Sequence, residues 1–174
     1  MNLESSGSVN NYKTVMFAGG CFWCMAKPYY EYAGVIQVFS GYAGGSEVNP
    51  TYEEVKSHKT THRETIKIIY DPSVISYDEL LDIYFETIDP FDGEGQFIDR
   101  GFNYTCAVFT SDEEEKSKVN KRLKMLADEY KMPTYVQVLD EVMFYMAEEY
   151  HQDYAIKNPS KMEEELISSG RKKS

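Results

Sequence analysis

Apolar and polar positions recur along this chain with a period that switches between two and about 3.6, and each switch marks a predicted element. The run Val15-Met16-Phe17-Ala18 reads as a buried strand that stops at Gly19-Gly20. Met25 to Tyr32 reads as the start of a helix. Val35 to Tyr42 alternates, which places Ile36, Val38, Ser40 and Tyr42 on one face, and Ala43-Gly44-Gly45 breaks it. A second alternating strand covers Arg63 to Tyr70, with Arg63, Thr65 and Lys67 outward and Glu64, Ile66, Ile68 and Tyr70 inward; Ile69 departs from the pattern. Ser76-Tyr77-Asp78-Glu79 is a capping box that opens a helix to about Ile88, and Asp89-Pro90 stops it. Phe91 to Gly101, with glycines at 93, 95 and 101, reads as a loop.

The second half continues in the same way. Phe102 to Phe109 reads as a strand with Phe102, Tyr104, Cys106 and Val108 on one face. A long helix follows the polar run at Thr110–Glu114 and reaches about Lys131, with Val119, Leu123, Leu126 and Tyr130 as its stripe. Thr134 to Leu139 predicts a late strand, and a short helix is expected at Lys161–Ile167. Strands and helices alternate, while short glycine turns favour some antiparallel pairing. The predicted fold is an α/β sandwich: one domain, a central mixed sheet, helices mainly on one face. Residues 12–159 form that domain, residues 1–11 a flexible start, and residues 160–174 a tail whose basic end, Arg171-Lys172-Lys173, is expected to be solvated.

Composition narrows the function. A net charge of −11 leaves no basic face for phosphate, which argues against nucleic acid as a partner. No apolar run nears the ~20 residues of a membrane span. Met1 to Asn11 is polar and lacks the order of a signal peptide, so a cytoplasmic location is expected. Three cysteines, an odd number in a reducing compartment, favour redox or catalytic use over a structural disulfide.

The chemistry concentrates at Gly19-Gly20-Cys21-Phe22-Trp23-Cys24, which holds the only tryptophan. The glycines allow a tight strand-to-helix turn. Cys21 would then start a helix, where unpaired N–H groups favour thiolate and lower the thiol pKa. Cys24, three residues on, lies on the same helical face. Glu64 is in phase with the apolar side of its strand; if buried, it holds a proton near neutral pH, and if at a frayed strand end, it is solvated. Acidic residues in the loop at 91–101 do not match an EF-hand spacing, so no metal site is expected. His151 with Asp153 would suit an acid–base pair, although a loop histidine bonded to its neighbours is the simpler reading. Two rival functions remain at this level: a general thiol–disulfide oxidoreductase, and a non-catalytic binding module for methionine-rich or oxidised peptides with the cysteines as bystanders.

Gly20-Cys21-Phe22-Trp23 resembles the signature of the A-type peptide methionine sulfoxide reductases. Further segments agree in order: Gly41-Tyr42-Ala43-Gly44-Gly45, Asn49-Pro50-Thr51-Tyr52-Glu53-Glu54-Val55, Glu64 before Tyr70-Asp71-Pro72, Asp99-Arg100-Gly101 with Tyr104, and Phe144 to Tyr154. The resemblance covers Thr14 to Pro159. The chain departs from the family in carrying Cys24 where glycine is more common and Ala26 where an acidic residue is, and in having no cysteine after Cys106.

The resemblance implies a ferredoxin-like sheet and reduction of methionine S-sulfoxide, free or in proteins. It implies Cys21 as the attacking thiolate, Glu64 as proton donor, and Tyr42 and Tyr104 as hydroxyl donors to the oxygen. Phe22 and Trp23 would enclose the substrate methyl and Asp99 would orient the pocket or bind substrate backbone. Cys24 is expected to resolve the sulfenic acid, with Cys106 as the alternative thiol. Thioredoxin, or a dithiol such as dithiothreitol, would reduce the resulting disulfide, and no bound cofactor is expected.

Overall fold

Strand β1 (Lys13–Ala18) runs near the centre of a six-stranded sheet in the computed structural model, which describes residues 11–172. The chain continues through α1 (Phe22–Ala26), a 3₁₀ turn (Lys27–Glu31), β2 (Val35–Ala43), α2 (Tyr52–Lys56), β3 (Arg63–Tyr70) and α3 (Tyr77–Thr87). A hairpin of β4 (Gly95–Gln96) and β5 (Asp99–Arg100) precedes a 3₁₀ turn (Phe102–Tyr104), β6 (Ala107–Phe109) and the 18-residue α4 (Glu113–Tyr130). Then come β7 (Gln137–Leu139), β8 (Phe144–Met146), a 3₁₀ turn (Glu149–His151), α5 (Tyr154–Lys157) and α6 (Pro159–Ser169). The sheet order is β7-β6-β1-β3-β2-β8, and only β6 and β7 pair in parallel. The predicted mixed sheet is therefore the observed one. Of the predicted flexible start, residues 1–10 lie outside the described residues, as do Lys173 and Ser174.

The inward side chains of β1 and β3 build the main core. Val15, Phe17, Ile66, Ile68 and Tyr70 meet Leu80, Leu81 and Tyr84 of α3 and Val119 and Leu123 of α4. Both helices start where their capping residues dictate. Ser76 and Glu79 form a reciprocal capping box at α3, and the Asp112 side chain accepts the Glu115 N–H at α4. The Tyr84 hydroxyl donates to the Ala18 carbonyl at 2.7 Å, which ties α3 to the last residue of β1.

Three expectations change. Ile36 is exposed, because a β-bulge between Val35 and Gln37 shifts the register and turns it off the inner face. The outward side of β3 is also covered: Arg63 is buried, its Nε donates to Thr105 Oγ1 at 2.9 Å, and its guanidinium lies 4.4 Å from the centre of the Phe102 ring. The strand expected at Phe102–Phe109 forms only at Ala107–Phe109. Gly101 has φ +120°, and the Thr105 hydroxyl donates to the Phe102 carbonyl at 2.6 Å, which closes a 3₁₀ turn instead. Tyr104 and Cys106 are thus not neighbours on one pleat.

Candidate active site

Strand register brings the candidate residues together. Ala18 at the end of β1 pairs with Thr65, and Tyr42 of β2 pairs with Glu64. The chain leaving β1 therefore turns directly beside Glu64. Gly20 makes that turn at φ +92°, and a Cβ there would collide with Gln96 and Arg171. Cys21 caps α1, and the first helical amide, Phe22 N–H, donates to Glu64 Oε1 at 3.1 Å. The alternatives left open for Glu64 resolve to burial: it is 2 % exposed. Burial first, and the nearby Cys21 second, push its pKa well above the ordinary carboxyl value.

Cys21 differs from expectation. A hydrogen bond with Cys24, followed by burial, raises its thiol pKa well above the ordinary value. The helix it caps has only five residues, so few peptide dipoles align behind it, and the environment outweighs them. Cys21 and Cys24 share a cluster with Met162 of α6, flanked by Trp23, Tyr154 and Leu166. Both thiols are free and buried. Cys106 lies in the main core instead. Burial raises its pKa to about 12, although a hydrogen bond with Tyr84 opposes this.

The tyrosines divide in a way the sequence did not separate. Tyr42 is fully buried and its hydroxyl donates to Glu148 Oε1 at 2.9 Å, so it is committed to a protein partner. Tyr52 and Tyr104 face the Cys21–Glu64 space. Burial raises the pKa of each, and the next causes are Glu64 and Cys21 for Tyr52, and Glu64 and Tyr52 for Tyr104. Both stay neutral donors at physiological pH. Glu148 also accepts the Tyr52 N–H at 2.9 Å, so one carboxylate links β2 to the start of α2. Asp99, on β5, is half-buried with Oδ2 unpartnered; burial raises its pKa, and Arg171 opposes that.

Aromatic rings wall this space. Phe22 lies 5.8 Å from Tyr42, 6.3 Å from Tyr52 and 5.0 Å from His151 between centroids. Trp23 stacks flat on Tyr154 at 3.8 Å. Its indole Nε1 donates to His151 Nδ1 at 3.1 Å, and the His151 ring lies 4.3 Å from Tyr52. His151 is therefore no partner of Asp153, whose Oδ1 accepts from the Tyr30 hydroxyl. Burial lowers the His151 pKa, which keeps the ring neutral as an acceptor at Nδ1. Gln152 fixes this segment to β2 by accepting the Ser40 N–H at 2.9 Å and donating to the Ser40 and Ala147 carbonyls. Tyr52, Glu148 and Gln152 escaped assignment from the residues, and His151 was read only as a loop histidine or a partner of Asp153, not as the acceptor for Trp23. Their only signal was membership of the polar-aromatic stretches at 49–55 and 144–154, which have no helical or strand period.

Of the basic tail, Arg171 is not solvated, whereas Lys172 is exposed as expected and Lys173 lies outside the described residues. Arg171 donates to the Thr87 carbonyl at 2.8 Å and the Gly19 carbonyl at 2.5 Å, and its guanidinium lies 4.8 Å from the Phe97 ring centre. Among the described residues no helix is long and apolar enough to cross a membrane, and no cluster of three or more candidate ligands could hold a metal.

A dithiol at a helix start lies beside a buried carboxyl and neutral tyrosines on a mixed α/β sheet, an arrangement suited to thiol redox chemistry. Comparison with known proteins then places it. Residues 13–174 match the peptide methionine sulfoxide reductase family. The Ligilactobacillus salivarius protein named peptide methionine sulfoxide reductase MsrA is 49 % identical over 150 residues, covering 85 % of this chain and 87 % of that one. Mxr1 from Saccharomyces cerevisiae in its reduced form superposes with a TM-score of 0.78 at 29 % identity, covering 87 % of this chain and 88 % of that chain. Methionine sulfoxide reductase A of Corynebacterium diphtheriae gives 0.78 at 31 %, covering 86 % and 76 %. Mxr1 has also been solved in complex with Trx2. This chain belongs to the peptide methionine sulfoxide reductase family, and its relatives bear the MsrA name.

Proposed function

We propose that this protein reduces the S-epimer of methionine sulfoxide, free or in proteins, to methionine by a two-cysteine cycle in the cytoplasm. The observation that carries the assignment is the Phe22 N–H to Glu64 Oε1 hydrogen bond, which holds a buried carboxyl against the residue that follows Cys21. With Oε1 occupied, Oε2 is left to carry the proton.

Cys21 sulfur attacks the sulfoxide sulfur while Glu64 protonates the oxygen, and the Cys21 proton replenishes Glu64. The raised pKa values of both groups suit this exchange, since each holds its proton until substrate arrives. Tyr52 and Tyr104 donate hydrogen bonds to the oxygen as it gains charge. Tyr52 takes the role expected of Tyr42, because the Tyr42 hydroxyl is already bound to Glu148. Phe22 and Trp23 receive the methyl and thioether, contacts worth ~0.3–1.5 kcal/mol each, and His151 holds Trp23 in place. Asp99 orients the pocket from the β5 side or meets the substrate backbone.

The protonated oxygen then passes to Cys21 sulfur as the substrate S–O bond and the transient bond between the two sulfurs break, so methionine leaves and Cys21 remains as sulfenic acid. The Cys24 thiol condenses with it, expelling water and forming the Cys21–Cys24 disulfide. The hydrogen bond between the two thiols and their shared cluster favour Cys24 over Cys106 as this resolving group. A dithiol then restores both thiols; thioredoxin is the reductant we assign, in keeping with the Mxr1–Trx2 pairing.

The test is a single turnover of reduced enzyme with methionine S-sulfoxide, in the absence of reductant, for wild type, Cys24→Ser and Cys106→Ser. One methionine per protein and a Cys21–Cys24 disulfide are expected, with sulfenic acid accumulating in Cys24→Ser. A Cys21–Cys106 disulfide would replace the resolver, and no methionine from any form would sink the reductase assignment.

A further inference from the structure

A cavity of about 380 Å³ is lined by Arg63 at the end of the sheet where β1 stops. Ala18, the last residue of β1, pairs with Thr65 of β3, so Arg63 lies beyond the end of β1. β6 and β7 stand on the far side of β1, and the Arg63 side chain crosses the vacated strand position to reach them. Its Nε donates to Thr105 Oγ1 at 2.9 Å, and its Nη2 donates to Oε1 of Gln137, the first residue of β7. The Phe102 ring covers the guanidinium, and Arg63 is only 4 % exposed.

These contacts use one edge of the guanidinium. Nη1, with its two protons, and the second Nη2 proton form the other edge. Nη1 makes no hydrogen bond among the described residues and is not sealed from solvent. No carboxylate among the described residues meets Arg63, whereas Arg100 and Arg122 pair with Asp92 and Asp82. Burial lowers the Arg63 pKa, and the groups that oppose this, Tyr84 and Cys106, keep their own protons at neutral pH. The guanidinium stays charged even so. A buried charge is costly unless it is paired, and in a chain of net charge −11 this cation has only neutral partners.

We propose that this cavity is a binding site for a small monocarboxylate with an apolar body, either a free acid or the C-terminus of a peptide. Charge selects the anion: Arg63 is the one charged side chain in the wall, so it balances one negative charge and not a phosphate dianion. Geometry selects the group. The open guanidinium edge presents two parallel N–H bonds, which match the two oxygens of a carboxylate. Phe102, Tyr135 and Val136 form the apolar part of the wall and receive the rest of the ligand. Phe102 and Tyr135 are both exposed, so the cavity opens between two rings. Its volume lies within the range of small-molecule pockets.

Calorimetric titration at pH 7 tests the site with benzoate and its neutral isostere benzamide. Benzoate is expected to bind at least about tenfold more tightly than benzamide, the worth of one charge-assisted hydrogen bond. Arg63→Gln is expected to abolish that preference. Thr134→Glu keeps Arg63 and puts a carboxylate of the chain's own into the wall. It is expected to weaken benzoate at least about tenfold, and it tests the site even if Arg63→Gln does not fold. N-acetyl-Ala-Ala-Phe and its C-terminal amide separate the two sources. A tripeptide acid that binds at least as tightly as benzoate, and more tightly than its amide, assigns the cavity to peptide C-termini; weaker binding than benzoate assigns it to free acids. The readout is binding without turnover, so its failure is distinct from failure of the reductase assignment. Acids and amides that bind alike, no saturable binding of either acid, or acid binding unchanged in both variants would overturn the proposal.

Discussion

Glu64 carries two consequences that pull in opposite directions. Its folded-state pKa is raised by burial and by Cys21, so the folded protein binds a proton that the unfolded chain has released at neutral pH. Stability is thus fully present below the unfolded carboxyl pKa and declines as pH rises toward the folded one. Glu64→Gln removes that decline. We expect Glu64→Gln to melt at least about 3 °C above wild type at pH 7.5, with the gap closing near pH 4. The same change should lower kcat by a factor of ~10²–10⁴, the usual worth of a positioned acid. Calorimetry across pH and a sulfoxide assay check the two halves separately. The tyrosines give a second contrast. Tyr52→Phe and Tyr104→Phe should each cost about ten- to a hundredfold in kcat. Tyr42→Phe should leave kcat within about threefold and cost ~1 kcal/mol of stability, because it loses only its bond to Glu148. A large kcat loss in Tyr42→Phe would return that residue to the oxygen site. His151 is tested by its own bond: protonation at Nδ1 removes the acceptor for Trp23. Its pKa lies below the ordinary 6.5, so the Trp23 emission and the KM for sulfoxide should be flat above pH 6.5 and change together on the acid side. His151→Phe should raise KM about tenfold at all pH and abolish that acid limb.

At the scale of elements, the strands that carry alternating side chains were legible and the segments held by specific polar contacts were not. The bounds and inner face of Arg63–Tyr70 were readable, because each inner position from Ile66 to Tyr70 is a large apolar group, whereas the cover over its outer face at Arg63 and Thr65 was not. The start of α3 was equally plain in Ser76 and Glu79, whose side chains form both halves of a capping box. The 3₁₀ turn at Phe102–Tyr104 was not legible, since an alternating stretch says nothing of a positive φ at Gly101 or of the Thr105 hydroxyl closing the turn. The same limit explains the site. Cys21 and Glu64 stood out as a thiol at a glycine turn and a carboxyl in an apolar phase. Tyr52 and His151 act through partners 96 or more residues away in sequence contacts such as Tyr52 to Glu148 and Trp23 to His151, and no local pattern encodes those. The tail makes an element-scale prediction. Arg171 clamps the Gly19 and Thr87 carbonyls, so α6 is held over the cysteines at its far end. Arg171→Ala should release that end, raise the alkylation rate of Cys24 in the reduced protein at least fivefold, and cost about 1–3 kcal/mol of stability. Unchanged alkylation would show that Met162 and Leu166 alone hold the helix.

Across the whole molecule, charge sets the condition dependence. A net charge of −11 places self-repulsion on a fold whose ion pairs are mostly at the surface, such as Lys118 with Asp78 and Arg100 with Asp92. Exposed pairs of this kind each contribute ~0–1 kcal/mol, and salt screens them. It also screens the repulsion among the unpaired carboxylates, which outnumber them, and the Debye length falls from about 30 Å at 0.01 M to about 10 Å at 0.1 M. At low salt, then, repulsion acts across most of the molecule, and at moderate salt only between near neighbours. The pairs lose little because partners already touch, while the long-range repulsion is lost almost entirely. Stability should therefore rise with ionic strength, with Tm in 0.3 M sodium chloride exceeding that in 0.01 M by several degrees, measured by scanning calorimetry at pH 7.5. Sodium sulfate at matched ionic strength should raise it further by strengthening apolar burial, which separates the two effects. The buried Glu64 carboxyl and the neutral tyrosines around Cys21 lie inside this shell of charge, so the same change in salt should leave kcat for free methionine sulfoxide within about twofold. A Tm that falls with sodium chloride would mean that the surface pairs outweigh the net charge.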